Sequence, residues 1–365
     1  MKKTLLTITL SVFVFAVTTA QTTFGPKQTI NSNTGNDPYA IASGFIDGDA
    51  YADIIVGTTI ANTLVWYKNN GNGTFTAQPN ITNTISFISN LMLVDLNNDT
   101  FLDLLVTAYS SNSVTWYAND GNGNFGVEQS IGTVNGASGL SVGTIDGDAT
   151  IDVAVTSYDN DNVVWFANNG AGVFGSANTI DNTLDSPGTV FLKDIDGDTD
   201  LDALISTSNY TPGVNVLEIF RNNLVGSGTV SFTKDATSVV TGKNNFAYAI
   251  FEDVDGDSNL DILASVLGTT AGTGSFSWYE DNGAGFTETP FTTSLGNPSS
   301  VIFADLDNDT VKDIVLSNGT AGPTNQIVWF KNNGSGSFAA EAVIDATQSN
   351  TFVMTISDFE NDGDL

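Results

Sequence analysis

A nine-residue acidic loop recurs along the chain at nearly constant spacing. Its clearest copies are Asp194-Ile-Asp196-Gly-Asp198-Thr-Asp200-Leu-Asp202, Asp253-Val-Asp255-Gly-Asp257-Ser-Asn259-Leu-Asp261 and Asp305-Leu-Asp307-Asn-Asp309-Thr-Val311-Lys-Asp313. A fourth, Asp95-Leu-Asn97-Asn-Asp99-Thr-Phe101-Leu-Asp103, carries one amide. Two weaker copies hold Asp47, Asp49, Asp53 and Asp146, Asp148, Asp152, with Phe45 and Thr144 where the first acid belongs. A seventh opens with Asp358, Glu360 and Asp362. The closing acids of the first six lie 50, 49, 50, 59 and 52 residues apart. A period of that size marks a repeat architecture, and every local motif has to be read inside it.

Each repeat orders its parts in the same way. In the second, an apolar run from Phe87 to Val94 leads into the loop, and Leu104 to Ala108 follows Asp103 as a buried-strand pattern. Val114 to Tyr117 makes a third run, and Phe125 to Ile131 a fourth beyond Asn119-Asp-Gly121. Short β-branched and aromatic runs separated by Asn-Gly punctuation are strands joined by hairpins. Four such strands in about fifty residues form the unit of a propeller blade. The expectation is an all-β β-propeller of about seven four-stranded blades. Blades are expected near 39–81, 87–131, 138–180, 188–240, 246–292 and 299–344, with a last, incomplete one over 351–365. Residues 24–30 match the fourth-strand pattern and precede the first loop, as an outer strand completing the last blade would. The last repeat lacks its middle strands, so the chain reads as part of a longer one, leaving room for further domains after residue 365.

All five tryptophans, Trp66, Trp116, Trp165, Trp278 and Trp329, occupy one repeat position. Packing between blades is the simpler reading, because a repeated large apolar residue belongs to a core. Exposed rings would instead form stacking platforms for sugars.

The chain carries 41 acids against 10 Lys plus Arg, a net charge of −31, and 26 of those acids lie in the loops. No phosphate-tracking basic surface exists, which excludes nucleic acid as a partner. Crowded carboxylates repel one another, so the loops call for a cation. Acids at the first, third, fifth and ninth positions, with a carbonyl at the seventh (Phe101 or Val311), supply the oxygens a hard divalent ion needs. Asp200 and Asn259 stand at that seventh position in their own loops. The fourth residue is Gly48, Asn98, Gly147, Gly197, Gly256, Asn308 or Asn361, the types that tolerate a left-handed backbone. Several structural Ca²⁺ ions are therefore expected as cofactors, with magnesium disfavoured because it keeps its own water. The loops at Asp47 and Asp146 should bind more weakly.

Neither Cys nor His is present, so disulfides, thiolate or imidazole metal sites and His-dependent catalysis are excluded. Residues 1–20 read as a signal peptide: Lys2 and Lys3, an apolar stretch, then Thr18-Thr-Ala20. No other segment could span a bilayer, and a secreted or cell-surface protein is expected.

The Asp-x-Asp-Gly-Asp-x-x-x-Asp loops resemble the FG-GAP/VCBS repeat family, which also builds the head of the integrin α subunit. The Phe-Gly pairs at Phe24, Phe125 and Phe174 match, as does Val-Trp-Tyr/Phe followed by Asn-x-Gly-x-Gly-x-Phe. The resemblance implies a seven-bladed propeller with calcium in its surface loops and an extracellular role in adhesion or recognition. The chain departs at the sixth loop position, where many members carry Gly. Here stand Ala50, Thr100, Ala149, Thr199, Ser258 and Thr310, with Gly only at Gly363. The expected function is a non-catalytic recognition module for a glycan or an extracellular protein, and no catalytic residue is assigned. The alternative is a polysaccharide-degrading glycosidase or lyase, against which stand the single Arg221, the missing His and the commitment of most acids to the loops.

Overall fold

Among the described residues, six antiparallel sheets follow one another along the chain, each built from a single repeat. The computed structural model describes residues 24, 27–31, 38–268, 273–283, 285–319, 326–347, 351–363 and 365; the expected leader over 1–20 lies outside them. Blade 1 comprises Pro38–Gly44, Asp53–Thr58, Leu64–Asn69 and Phe75–Ala77. In blade 2 the strands are Ile88–Val94, Asp103–Ala108, Ser113–Tyr117 and Gln129–Thr133; in blade 3, Ala137–Gly143, Asp152–Ser157, Asn162–Phe166 and Asn178–Asp181. Blade 4 has Pro187–Lys193, Asp202–Thr207, Asn215–Asn222 and Phe232–Lys234, and a fifth strand, Val240–Lys243, pairs its third. That addition lies within the 59-residue step. Blade 5 runs Phe246–Glu252, Asp261–Val266, Ser275–Asp281 and Phe286–Pro290, and blade 6 Pro298–Ala304, Asp313–Asn318, Ile327–Phe330 and Ala342–Asp345.

The first strands of successive blades pack side by side, and the second strand of each blade is buried along almost its whole length. Sequences such as Asp103-Leu-Leu-Val-Thr-Ala108 are apolar on both faces because a neighbouring blade covers each face. Five apolar clusters accordingly sit between blades rather than within them: blades 1 and 2 share the first, and so on to blades 5 and 6. Four of the tryptophans belong to these clusters and Trp329 to a sixth, between blade 6 and Met354 and Ile356; none of the five is more than 8% exposed. The outer hairpin of the next blade crosses over several of these rings. A methyl group on Gly123 would meet Trp66 at 2.1 Å, and one on Gly172 would meet Trp116 at 2.2 Å. A ring of stacking platforms at this position is thereby ruled out.

Two expectations are corrected. The propeller has six blades, not about seven: residues 351–363 follow the seventh repeat but join no sheet. They lie between blades 6 and 1, where Ser299 donates to the carbonyl of Thr351 (2.9 Å) and Ser43 bonds Thr355 (2.6 Å). The fourth strands of blades 2, 3 and 6 also begin later than the sequence pattern suggests. Phe125, Phe174 and Phe338 make single bridges to Asn119, Asn168 and Asn332, and the strand starts some residues on. Their side chains turn inward instead, Phe338 meeting Trp278 edge-on at 6.3 Å. Phe24 repeats that contact on Trp329 at 6.0 Å, although none of the described residues 24 and 27–31 is in a strand.

Candidate metal centres

The chain turns through each acidic loop at its fourth residue, where φ is positive in all seven copies, from +56° at Asn308 and Asn361 to +80° at Gly197 and Gly256. The first acid then reaches over the turn. Asp95, Asp194, Asp253 and Asp305 accept the N–H of Thr100, Thr199, Ser258 and Thr310 at 2.8 to 3.1 Å. Those sixth residues are left-handed too, with φ of +74° to +82°. Ala50 and Ala149, in the loops without a first acid, are not. The first acid thus holds a β-branched residue or a serine in a conformation that costs about 1–3 kcal/mol.

The closing acids are the most buried carboxylates among the described residues, at most 1% exposed. One oxygen accepts the N–H at the end of the blade's third strand, as from Asn119 to Asp103 at 2.9 Å and Asn332 to Asp313 at 2.7 Å. In blades 2 to 6 the other accepts the N–H of the second loop residue, from Leu96, Ile145, Ile195, Val254 and Leu306. Burial pushes Asp53, Asp103, Asp152, Asp202 and Asp261 up to about 6 against the pull of these hydrogen bonds, and it raises Asp313 as well. The ninth position is therefore a backbone anchor, and in blades 4, 5 and 6 it also lies close to the first and third acids of its loop.

Among the described residues, three loops gather acids tightly enough to share an ion. Carboxylate oxygens of Asp194, Asp196 and Asp202 lie within 4.8 Å of one another, as do those of Asp253, Asp255 and Asp261 and those of Asp305, Asp307 and Asp313. One oxygen of Asp307 is buried and accepts no hydrogen bond. An all-oxygen donor set with an uncompensated buried carboxylate oxygen suits a hard divalent cation. The fifth acids stand outside these groups: Asp198, Asp257 and Asp309 accept the N–H of Asp200, Asn259 and Val311. In blade 2, Asp99 does the same for Phe101, and the N–H of Asp99 bonds Asn97 at 2.9 Å. Asp200 accepts the N–H of Val225 with one oxygen and buries the other unpartnered.

The weak loops gather no such group among the described residues. Asp47 and Asp49 bind Lys68, while Asp146 accepts from Asp148 and Asp148 from Thr150. In the seventh loop Asp358 accepts the N–H groups of Asp362 and Gly363, as Asp305 does of Asp309 and Thr310; Glu360 is exposed.

A recurrent asparagine ties the loops into the ring. Asn119, Asn168, Asn222 and Asn332 donate through Nδ2 to the carbonyl of the second loop residue in the preceding blade, at 2.8 to 3.0 Å. The repeated Asn was visible as half of a hairpin signal, and its second task was not.

On the opposite face, where first strands begin and second strands end, aromatic rings form a row. Phe352, Tyr39, Phe87, Tyr109 and Tyr158 follow one another with centroids 5.5, 5.5, 5.6 and 6.0 Å apart, all partly exposed. Asp159 accepts the Tyr109 hydroxyl at 2.7 Å, and Tyr210 is 81% exposed. Burial, and then this hydrogen bond, pushes Tyr109 up to about 12; Tyr158 and Tyr210 add smaller effects through their charge.

The repeat geometry has a counterpart among known families: the FG-GAP-like repeat matches residues 46–106, 95–155 and 253–316. The chain carries FG-GAP-like repeats. No curated protein matches the sequence. Solved structures share the FG-GAP-like chain's architecture at low identity. An Agrocybe aegerita lectin that recognises non-reducing terminal N-acetylglucosamine is 16% identical, with a TM-score of 0.56 over 86% of this chain and 81% of its own. Virginiamycin B lyase from Staphylococcus aureus is 14% identical, with a TM-score of 0.55 over 86% of each chain. The Dos1 propeller is 15% identical, with a TM-score of 0.50 over 84% of this chain and 75% of its own. Such likeness establishes the propeller fold and no activity. Among the described residues, no helix is long and apolar enough to cross a membrane.

Proposed function

We propose that this chain is an exported, calcium-stabilised β-propeller that recognises a glycan without altering it. The observation that carries this reading is the row from Phe352 to Tyr158. Partly exposed phenols present an apolar face for the C–H side of a sugar ring and a hydroxyl for its polar edge. The net charge of −31 favours a neutral or basic saccharide over an acidic one. A lectin among the chains of similar fold is consistent with this use of a propeller. Calcium in the loops of the far face would offset part of the carboxylate repulsion and stabilise the scaffold without touching the ligand.

A glycan array probed with and without chelator, and with Tyr109→Ala and Tyr158→Ala, tests the proposal. Binding that the substitutions abolish at unchanged melting temperature supports it. Binding that survives both substitutions moves the site elsewhere, and shortened or unsaturated products would make the protein an enzyme.

A further inference from the structure

The third strand of each blade ends beside its own acidic loop, and the residue before the asparagine position differs sharply among blades. It is Lys68, Ala118, Ala167, Arg221, Glu280 and Lys331 in blades 1 to 6. In blade 6 the Lys331 ammonium lies on Asp307 and, at 2.6 Å, on Asp309. In blade 1 Lys68 repeats the contact on Asp47 and, at 2.9 Å, on Asp49. These are the third and fifth acids of each loop. Asp307 also belongs to the group gathered with Asp305 and Asp313, its side chain is 4% exposed, and its second oxygen accepts nothing. The loop of blade 6 is therefore a built cation site, and the chain supplies a cation to it.

Blade 5 is the contrast. Asp253, Asp255 and Asp261 gather in the same way, yet no lysine or arginine among the described residues forms an ion pair with them. The residue that would deliver one is Glu280, a further negative charge. An ammonium and a divalent ion compete for the same carboxylates. The ion must either displace the ammonium into water or accept its repulsion at close range.

We propose that Lys68 and Lys331 are resident cations that occupy the third and fifth acids of the loops of blades 1 and 6 and keep divalent ions out. Uptake then falls to the gathered loop without such a cation, that of blade 5, since in blade 4 Arg221 pairs with Asp202 at 3.1 Å and Asp196 at 4.0 Å. This rests on the reading that the loops take calcium, and it divides among them what the repeat treats as equivalent.

The test is the number of Ca²⁺ ions bound per folded chain, by titration calorimetry and by terbium luminescence, in wild type, Lys331→Met and Glu280→Lys. Lys331→Met should gain one bound ion. Glu280→Lys, which transplants the lysine, should lose one while its metal-free melting temperature does not fall. Unchanged stoichiometry in both variants of a protein that does bind calcium overturns the lysine inference and leaves the calcium reading standing. A wild type that binds none, beside a Lys331→Met variant that binds one, overturns the calcium reading and upholds the lysine. No binding in any of the three overturns both. If Lys331→Met does not fold, the loss or retention of an ion in Glu280→Lys decides the matter alone.

Discussion

Asn69 Nδ2 donates to the carbonyl of Phe359 at 2.8 Å, joining residues 290 positions apart in the chain. It is the bond that Asn119 makes to Ile46 and Asn332 makes to Val254, formed here between blade 1 and the seventh acidic loop. Phe75 meets the Phe359 ring edge-on at 5.8 Å beside it. A segment without a strand of its own therefore sits against blade 1 through the same clasp that links complete blades.

Removing that clasp should be costly. Asn69 also donates to the carbonyl of Ala52 at 3.0 Å, and its own oxygen accepts the N–H of Gly71. Asn69→Ala strands two carbonyls and should destabilise by about 2–4 kcal/mol, at about 1–2 kcal/mol for each unsatisfied group. The exposed neighbour Asn70→Ala should stay within about 1 kcal/mol of wild type. Urea midpoints of the two variants check the difference.

The sixth loop residue offers a gain. Thr310 sits at φ +76° because Asp305 accepts its N–H. Thr310→Gly removes the Cβ penalty and should raise stability by about 1 kcal/mol. Ala50 carries no positive φ, so Ala50→Gly should lower stability by about 0.5–1 kcal/mol. Opposite shifts in melting temperature are expected, and shifts of the same sign would refute the strain argument.

Gly123 must remain glycine for two reasons. Its φ is +79°, and a methyl group there would stand 2.1 Å from the Trp66 ring. Gly123→Ala adds overpacking, typically about 1–3 kcal/mol, to the cost of left-handed backbone. Gly283 has a similar φ of +75° but open space around it, so Gly283→Ala should show the backbone cost alone, about 1 kcal/mol. Chemical denaturation of both variants measures the gap.

The closing acids set a pH dependence with a definite sign. Burial raises Asp53, Asp103, Asp152, Asp202 and Asp261 from 3.8 to about 6 in the folded protein. Each keeps its proton longer folded than unfolded, so its contribution is complete below about pH 4 and is lost as pH rises through about 6. In chelator the urea midpoint should fall from about pH 4.5 to about pH 6.5. Calcium binds the deprotonated carboxylates, and saturating calcium should reverse that slope. A midpoint that climbs with pH in chelator would mean that the backbone N–H groups outweigh burial.

The period of the acidic loops was enough to specify blades, because loop and hairpin signals are local chemistry. A Gly or Asn at the fourth loop position announces a left-handed turn within a few residues of chain, and every copy adopts it. The tryptophans were legible as interface residues for a related reason: a strand covered by neighbours on both faces has to be apolar on both. Other features depend on which repeat lies beside which. The blade count requires each strand to find a partner, and residues 351–363 align with the repeat while joining no sheet. Lys68 and Lys331 stand at equivalent repeat positions in the sequence, but their contact with the loop acids emerges only once the end of the third strand is laid beside the loop. Tyr109 and Tyr158 share a repeat position, each six residues after its closing acid, but Tyr39 and Phe87 stand elsewhere in the repeat, so no one period connects the four. They meet because antiparallel pairing brings the start of a first strand level with the end of a second, and the ring then sets neighbouring blades edge to edge. Backbone preference is written over a handful of residues; contacts across tens or hundreds of residues exist only once the ring has formed.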